Sequence, residues 1–363
     1  MNSMKMENNL YNTTLIIDTK KIISNINFFK SKNKNIKIIA MIKANAYGHG
    51  DIEIARILEN ENIYMLGVAD FEEGIRLREK NIKSKIMITT PTKNNIQEII
   101  NYNLEPCIYS FKILDEIIKI NKKINVHIKF NTGMNRFGFD KDDINKCIKK
   151  IKQNKHIHVS SIFSHLANCN NNKNDLFSIK QIKRFKEIDK IFKETFKYKI
   201  NTHIHNTEGH IRLNNKNNII RIGLGIYGYT KTNRKIKPIS KLKSHIIQIR
   251  KILKNESIGY NRSFIAKKNM KIGIIPIGYA DGIKRDWGGG KLKFLIKNKL
   301  YPVVGVISMD SCMINITNTK IKEGEEVFYF NEKRNICELA KDLNTIPYEI
   351  TSSLSKRIKR IYI

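Results

Sequence analysis

The stretch of sequence that most constrains the fold is residues 36–50, which read IKIIAMIKANAYGHG. Its first seven residues are almost all apolar, a pattern typical of a parallel strand that is buried on both faces. Side chains alternate between the two faces of a strand, so Ile39, Met41 and Lys43 point the same way. The sequence therefore predicts a strand that presents an amine where it ends and a glycine-containing turn begins. Asp51 then opens an amphipathic segment, and we expect it to be the N-cap of a helix.

A lysine at the end of a buried strand has two interpretations. Burial disfavours the charged ammonium and lowers its pKa, which makes the amine a nucleophile suited to Schiff-base chemistry with a carbonyl cofactor. Alternatively, its flexible stem carries the charge out into water. Lys43 alone favours the second interpretation, and the surrounding residues are needed to decide between the two.

Downstream of this strand, predicted strands and helices alternate. The further predicted strands are 65–69, 86–89, 106–109, 126–131, 161–165, 202–206 and 219–223, and the predicted helices are 71–80, 95–102, 112–120 and a long one with an apolar stripe at Ile179, Ile182, Phe185, Ile188 and Phe192. Counted from Ile36, about eight strand and helix units follow one another, the pattern of a TIM-type barrel. Active sites of such barrels lie at the carboxyl ends of the strands, which is where Lys43, Arg136, His165, Asn206 and Arg221 fall.

After Tyr229 the pattern changes to short β-rich runs separated by Gly or Asn turns, which predict a mostly antiparallel domain. In this part, 336–343 is the one predicted helix, and 229–238 is the predicted linker. The predicted fold class is therefore α/β, with an N-terminal TIM-type (β/α)8 barrel and a C-terminal mostly antiparallel β domain. We expect the barrel over 20–230 and the β domain over 231–363, with residues 1–19 supplying a strand over 14–18 that joins the second domain.

The composition is strongly basic, with a formal net charge of +34 over 363 residues. Such a charge raises the possibility of binding to nucleic acid or an anionic membrane. Here the lysines are spread along most of the chain together with abundant Ile and Asn, and AT-rich codons encode all three residue types. We therefore attribute the charge to a solvated surface in an AT-biased genome and expect no specific nucleic-acid partner.

Cysteine usage and hydropathy exclude several other classes. The five cysteines are scattered without a C-x-x-C pair, so neither a disulfide framework nor a zinc site is indicated. They are Cys107, Cys147, Cys169, Cys312 and Cys337, each expected to be a buried or partly buried small hydrophobe. There is no apolar leader near Met1 and no apolar run long enough to span a bilayer, so we expect a cytoplasmic protein without a membrane partner.

Residues 42–50, IKANAYGHG, resemble the pyridoxal 5'-phosphate (PLP) attachment motif of alanine racemases, and that motif is specific. The resemblance implies that Lys43 binds PLP covalently and that Tyr47 lies close to the phosphate. Residues 127–138, HIKFNTGMNRFG, are similar to a second signature of the family, in which Arg136 would contact the cofactor ring hydroxyl and the substrate carboxylate. A planar guanidinium suits a carboxylate because it donates two parallel hydrogen bonds.

The same signature contains Lys129, which matches a lysine that is often carbamylated in the family; alternatively it is an unmodified amine paired elsewhere. Asn131 stands where the family usually has Asp. The strings SHLA (164–167), HIHNT (203–207) and RIGL (221–224) are similar to later strand ends of the family. With the match of Tyr348 in IPYEI, they imply a cofactor-binding set of His165, Asn206, Thr207, Arg221, Gly223, Leu224 and Tyr348. His165 and His203 are equally explained as packing histidines.

In the family, the arginine that matches Arg221 faces the pyridine nitrogen of the cofactor. Arginine stays protonated, so a guanidinium there disfavours protonation of that nitrogen and makes the cofactor a weaker electron sink. A short carbanion lifetime then protects against transamination. The alternative is a structural ion pair between Arg221 and an acid of the barrel.

Racemisation needs two acid/base groups, one on each face of a planar carbanion. The resemblance assigns them to Lys43 and to Tyr260, in SIGYNRSF, which would enter the active site of the partner subunit of an obligate homodimer. Met309 matches a residue of the family that lies at the substrate. Tyr279, Arg285 and Asp310 match residues that line the substrate entrance or hold the substrate carboxylate. Val306 and Ser308 depart from the usual Arg and Cys, and Asn261 from the usual Gly.

The resemblance thus implies PLP-dependent interconversion of L- and D-alanine, which supplies D-alanine for peptidoglycan. An alternative enzyme is a racemase of the same fold that acts on serine or on a broad set of amino acids, because one methylene or hydroxyl changes affinity only modestly. A non-catalytic PLP carrier would need the barrel alone, and a nucleic-acid-binding protein would need a motif that we do not find.

Overall fold

The computed structural model describes residues 11–33, 35–168, 176–213, 218–230, 233 and 235–363. The strands are β1 (Thr14–Ile17), β2 (Lys37–Met41), β3 (Met65–Val68), β4 (Ile86–Ile88), β5 (Glu105–Ile108), β6 (Ile124–Lys129), β7 (Ile157–Phe163), β8 (Asn201–His203), β9 (Ile219–Ile222), β10 (Ser240–His245), β11 (Gln248–Ile252), β12 (Ser257–Ile258), β13 (Phe264–Ile265), β14 (Met270–Ile275), β15 (Lys293–Ile296), β16 (Lys299–Val304), β17 (Cys312–Asn315), β18 (Glu326–Phe330) and β19 (Lys359–Tyr362). The right-handed helices are Thr19–Lys32, Asp51–Asn60, Phe71–Glu79, Ile96–Asn101, Phe111–Ile120, Ile144–Gln153, Leu176–Thr195, Thr207–Arg212, Leu224–Tyr227, Ile336–Asp342 and Pro347–Ser352. None of these helices is long and apolar enough to cross a membrane.

Eight parallel strands form the barrel, in the order β8-β7-β6-β5-β4-β3-β2-β9. Strands β8 and β9 meet at its seam, where the backbone N–H of Arg221 donates to the carbonyl of His205 over 3.1 Å. This bond bridges the two edge strands and leaves the barrel nearly closed. The predicted TIM-type barrel followed by a mostly antiparallel β domain is confirmed.

Two separate apolar clusters lie on the two sides of the barrel wall. Alternate strand residues such as Ile38 and Ala40 join the large core between strands and helices. Residues of the opposite parity face the lumen and pack there as a smaller cluster of Ile39, Met65, Met87, Cys107, Phe163 and Ile219. The lumen is therefore filled by side chains, as the barrel architecture requires.

The second sheet has nine strands in the order β11-β14-β17-β16-β15-β18-β10-β1-β19. Strand β1 pairs antiparallel with β10 and parallel with β19. The first described strand is thus held between strands that come more than two hundred residues later. It ends at Ile17 because Asp18 caps the next helix, where its carboxylate accepts from the N–H of Lys21.

Three features differ from the sequence-based expectations. The expectation that Asp51 is an N-cap is wrong, because Gly50 occupies that position and the carboxylate of Asp51 pairs with Arg76 instead. Helix Ile144–Gln153 was not predicted, although its buried residues follow helical spacing at Ile144, Cys147, Ile148 and Ile151. Helix Pro347–Ser352 is a second helix of the β domain, so 336–343 is not its one helix.

Other expectations differ only in their boundaries or fall outside the described residues. Predicted strand and helix ends lie within a few residues of the observed ones. Cys107, Cys147 and Cys312 are buried and Cys337 is partly buried, whereas Cys169 lies outside the described residues. Part of the predicted linker, 231, 232 and 234, also lies outside them, as do residues 1–10.

The turn after β2 contacts the β domain so closely that it requires a glycine at position 48. Gly48 has a φ of +86°, and a Cβ there would lie 1.8 Å from the carbonyl oxygen of Thr351. We predict that Gly48→Ala lowers the free energy of unfolding by more than about 3 kcal/mol, since backbone strain and a backbone clash add. Urea denaturation measures the change.

Gly324 is the matched control for this substitution. Its φ is +82°, and a Cβ there would meet nothing within 4 Å. Gly324→Ala introduces strain without a clash, so we expect a loss of only about 1 kcal/mol. Equal losses for the two variants would show that the contact between the turn and the β domain contributes nothing.

Candidate active site

A cavity of about 470 Å³ opens at the carboxyl ends of the barrel strands. Its lining comes mostly from residues at or just beyond the ends of these strands. The lining residues are Met41, Lys43, Tyr47, Ala69, Thr89, Thr90, Lys129, Met134, Arg136, Phe137, Phe163, His165, Leu166, Ala167, Asn206, Thr207, Glu208, Arg221, Gly223, Leu224 and Tyr348. All predicted cofactor-binding residues are therefore brought together in one place.

Lys43 reaches this cavity from an unusual turn. Strand β2 ends at Met41, and the four residues after Lys43, Ala44 to Tyr47, have φ values between 51° and 54°. A left-handed turn of non-glycine residues costs about 1–2 kcal/mol per residue, so other bonds must hold it. Two of them are Ala46 N–H to Ile42 C=O (2.8 Å) and Gly48 N–H to Ala44 C=O (3.0 Å).

Glu73 anchors the same turn from the neighbouring strand end. One carboxylate oxygen accepts from the N–H of Ala44, directly after Lys43, at 2.6 Å, and the other accepts from the N–H of Ala69 at 2.8 Å. Sequence analysis missed this residue. Its signal was the D-x-x-E pattern of Asp70 and Glu73, a capping box that the structure forms at the start of helix Phe71–Glu79.

Four cationic side chains, Lys43, Lys129, Arg136 and Arg221, line the cavity. Burial and the charge of Arg136 lower the pKa of Lys43, and the carboxylate of Glu73 acts against them. Burial lowers the pKa of Lys129 to about 8, with further lowering by Arg221, Arg136 and Lys43. Part of the Lys129 amine population is therefore uncharged near neutral pH, and the lowered pKa of Lys43 shifts its amine in the same direction, which suits nucleophilic and proton-transfer chemistry.

Arg221 is buried, and burial lowers its pKa to about 10. It donates to the carbonyl oxygens of Ser164 at 2.5 Å and Ile204 at 3.2 Å, to Nδ1 of His165 at 3.2 Å, and to Nδ1 of His203. These partners are neutral acceptors, whereas an ion pair would need an acid. Burial and the charge of Arg221 hold the pKa values of both histidines well below their ordinary range.

Hydroxyl groups gather at the other end of the cavity. The rings of Tyr47 and Tyr348 lie 6.5 Å apart, and Tyr348 comes from helix Pro347–Ser352 of the β domain. Gly223 leaves room between β9 and this pair, because a Cβ on it would lie 2.6 Å from the hydroxyl of Tyr47. The Thr207 hydroxyl lies at the same end and accepts from the N–H of Gly225 at 3.2 Å.

Two asparagines organise the loops of the site. Asn206 caps helix Thr207–Arg212 by accepting from the N–H of Gly209 at 2.9 Å. Asn131 accepts from the N–H of Gly133 at 3.1 Å and donates to Asp140 at 2.9 Å. An amide can do both, so the residue that replaces the family's usual Asp orders the loop that carries Arg136.

Tyr260 and Met309 are not part of this cavity within the described chain. They are exposed, with 67% and 52% of their surface accessible. Tyr260 lines a separate open surface cavity together with Ser308 and Met313. Both side chains are thus exposed on the surface of the described chain and lie outside the Lys43 cavity.

Comparisons with known proteins decide the family. The family model described as alanine racemase, N-terminal domain, matches residues 17–231, and that described as alanine racemase, C-terminal domain, matches residues 239–362. The chain belongs to the alanine racemase family. An alanine racemase of Clostridium kluyveri is 34% identical over 96% of this chain and 93% of its own length. One from Helicobacter pylori strain P12 is 33% identical over 96% of this chain and 98% of its own length.

Solved structures of the family agree in fold over nearly the whole chain. The alanine racemase of Clostridium difficile 630 has a TM-score of 0.89 at 30% identity and covers 97% of this chain and 96% of its own. The alanine racemase of Bartonella henselae with covalently bound pyridoxal phosphate has a TM-score of 0.88 at 28% identity, with 97% and 100% covered. The chain is therefore an enzyme of this racemase family.

A substitution at Glu73 tests how its carboxylate affects the pKa of the Lys43 amine. Replacing its carboxylate by an amide removes a negative charge that raises the pKa of Lys43, so we predict a further fall of that pKa in Glu73→Gln. Competitive acylation of cofactor-free protein over a range of pH, read at Lys43 by mass spectrometry, measures the shift. Glu72→Gln, an exposed neighbour on the same helix, is the control. An identical Lys43 titration in both variants would contradict this role.

Proposed function

We propose that this chain is a PLP-dependent alanine racemase that interconverts L- and D-alanine and supplies D-alanine for peptidoglycan. The observation that carries the proposal is the position of the Lys43 amine in one cavity with Arg136, Arg221, Tyr47 and Tyr348. Family membership adds the reaction type.

The residues of the cavity fit PLP at both of its ends. Tyr47, Tyr348 and Thr207 present hydroxyl groups at one end, and Gly223 leaves space for a phosphate to approach. Arg221 lies in the same cavity, held rigidly by neutral acceptors. When bound, PLP withdraws electrons from the α-carbon of an amino acid and makes its proton acidic.

Side chains of the cavity would bind the substrate and transfer its proton. Arg136 binds the substrate carboxylate through its guanidinium, which fixes the α-carbon near Lys43. The amine of Lys43, with its lowered pKa, removes or returns a proton on one face of that carbon. Arg221 would hold the ring end of the cofactor, and its positive charge would disfavour protonation of the ring nitrogen, as the family resemblance implies.

Lys129 lies among other cations, and a carbamate on its amine would replace one of these positive charges by a negative charge. Its amine lies over the rings of Phe137 and Phe163, at 5.1 and 5.7 Å from their centres. Its pKa of about 8 leaves a neutral fraction whose nitrogen can add to CO₂, with release of one proton to solvent. The resulting anion would offset the surrounding cations and hold Arg136, as the family resemblance implies.

The opposite face of the substrate requires a second acid/base group. We infer that Tyr260 of a second copy of this chain supplies it, with Met309 beside the substrate. The exposure of both residues outside the Lys43 cavity supports this inference, because two copies would bury them. The functional unit is then a homodimer with shared active sites.

We also propose that the barrel domain spans 20–230 and the β domain spans 231–363, together with the strand contributed by 1–19. The pairing of β1 with β10 and β19 supports this division. We also propose a cytoplasmic location.

Covalent attachment of the cofactor is tested directly. We predict that borohydride reduction of the purified holoenzyme leaves one modified lysine, Lys43, because this amine lies in the cavity and belongs to the 42–50 string that resembles the cofactor attachment motif. Peptide mass spectrometry maps the adduct, with Lys129→Arg as the control for the second cavity amine. A label at Lys129, or no label, would reject the assignment.

The shared active site is tested by complementation between inactive subunits. Lys43→Ala and Tyr260→Phe are each expected to lack activity, and mixed dimers contain one site with both native residues. Half of randomly exchanged dimers are mixed, so we predict recovery of about a quarter of wild-type racemisation. Chiral chromatography of L-alanine and L-serine reactions measures it, and native mass spectrometry verifies exchange. Mixed dimers without activity would refute the shared site, and faster turnover of serine would refute the alanine assignment.

A further inference from the structure

A chain of buried polar side chains crosses the barrel lumen, with one residue from each of five adjacent strands. It connects Glu105 Oε2 to His127 Nε2 (3.0 Å), His127 Nδ1 to Ser161 Oγ (2.7 Å), and Ser161 Oγ to His203 Nε2 (3.0 Å). His203 Nδ1 then meets a guanidinium nitrogen of Arg221. All five residues are more than nine-tenths buried.

The two end residues, Arg221 and Glu105, determine in which direction the hydrogen bonds between them donate. Arg221 can only donate, so Nδ1 of His203 must accept and its Nε2 carries the proton. That proton goes to Ser161, whose hydroxyl can then donate to Nδ1 of His127. Nε2 of His127 carries a proton for Glu105, and an ionised carboxylate can only accept. Every contact is satisfied when both imidazoles are neutral.

The charge states of the two end residues agree with this direction. Burial acts to raise the pKa of Glu105, but the hydrogen bond and the charge interaction with His127, together with the charge of Lys85, bring it below its ordinary value. Burial and the charge of Arg221 keep the pKa of His203 well below its ordinary range. Its ring stacks on Phe163, with centres 5.0 Å apart and planes inclined by 12°, so its orientation is also constrained.

We infer that Glu105, His127, Ser161 and His203 act as one relay that positions Arg221, with Glu105 as its remote counter-charge. The inference rests on the proposed function in so far as Arg221 serves the cofactor. A buried cation whose immediate partners are neutral gains from an anion that polarises the bonds between them. The relay makes Nδ1 of His203 a stronger acceptor and holds the guanidinium in one orientation.

Glu105 acts from the opposite end of the barrel. It is the first residue of β5 and borders a cavity of about 300 Å³ with Asn125, His156 and His158 at the amino-terminal mouth. The Lys43 cavity lies at the other mouth. Glu105 is therefore a positioning residue that touches neither the cofactor site nor Arg221, and it can act there only through its neighbours.

A measurement on the unaltered holoenzyme tests the direction of the relay. With ¹⁵N-labelled histidine, we expect NMR to show His127 and His203 neutral, each with its proton on Nε2. The signals are assigned by their loss in His127→Gln and His203→Gln. A proton on Nδ1 of either ring, or a doubly protonated ring, would overturn the relay without any functional variant.

A double-mutant cycle tests whether the charge of Glu105 acts on His203 through Ser161. Glu105→Gln keeps the size of the side chain and removes its charge, and Ser161→Ala interrupts the relay at its middle. We expect Glu105→Gln to move the His203 nitrogen resonances in the native background and to leave them unchanged in the Ser161→Ala background. Each single variant should lower kcat by about threefold with little change in KM, and the double variant should lose no more than either alone.

His158 is exposed at the same mouth of the barrel, and His158→Gln is the control. It should change neither the His203 nitrogen resonances nor kcat. An unchanged His203 in Glu105→Gln, an equal shift with Ser161→Ala present, or rate losses that multiply would each overturn the relay. The histidine signals do not depend on turnover. Absence of alanine racemisation in the native enzyme would therefore reject the proposed function while the relay is still tested.

Discussion

The burial of several cations in one cavity is the constraint on which the rest of the structure depends. Lys43, Lys129, Arg136 and Arg221 repel one another there, and their repulsion is stronger than in water because the site is partly desolvated. The fold supports them with neutral acceptors and with the carboxylate of Glu73, which anchors the turn after Lys43. A cavity lined in this way favours a ligand that carries negative charge.

The barrel lumen contains both apolar and polar side chains, because it must hold the buried cation of Arg221. One part is apolar, with Met65, Met87 and Cys107 packed beside Ile39. Another part contains the polar chain that ends at Arg221, since a buried guanidinium requires acceptors on every side. The apolar part closes the lumen to water, and the polar part holds the arginine in place.

Much of the site could be predicted because its determinants are local. The apolar run before Lys43, and the strand ends at His165, Asn206 and Arg221, follow from residue periodicity and the barrel rule. Glu73 and Ser161 could not be assigned in the same way, because each acts through a contact with a residue distant in the chain. Strand pairing, which sequence periodicity does not encode, creates these contacts.

The sequence by itself determined the alternation of strands and helices, the change to a β domain after Tyr229, and the motif that places Lys43 at a strand end. These features depend on spacing within short segments, where side-chain period and turn chemistry act directly. Only the tertiary structure decided that β1 pairs with β10 and β19, that Glu73 anchors the turn after Lys43, and that this turn is left-handed. Those features depend on packing and hydrogen bonds between segments that are far apart in the chain, and such contacts override local preference.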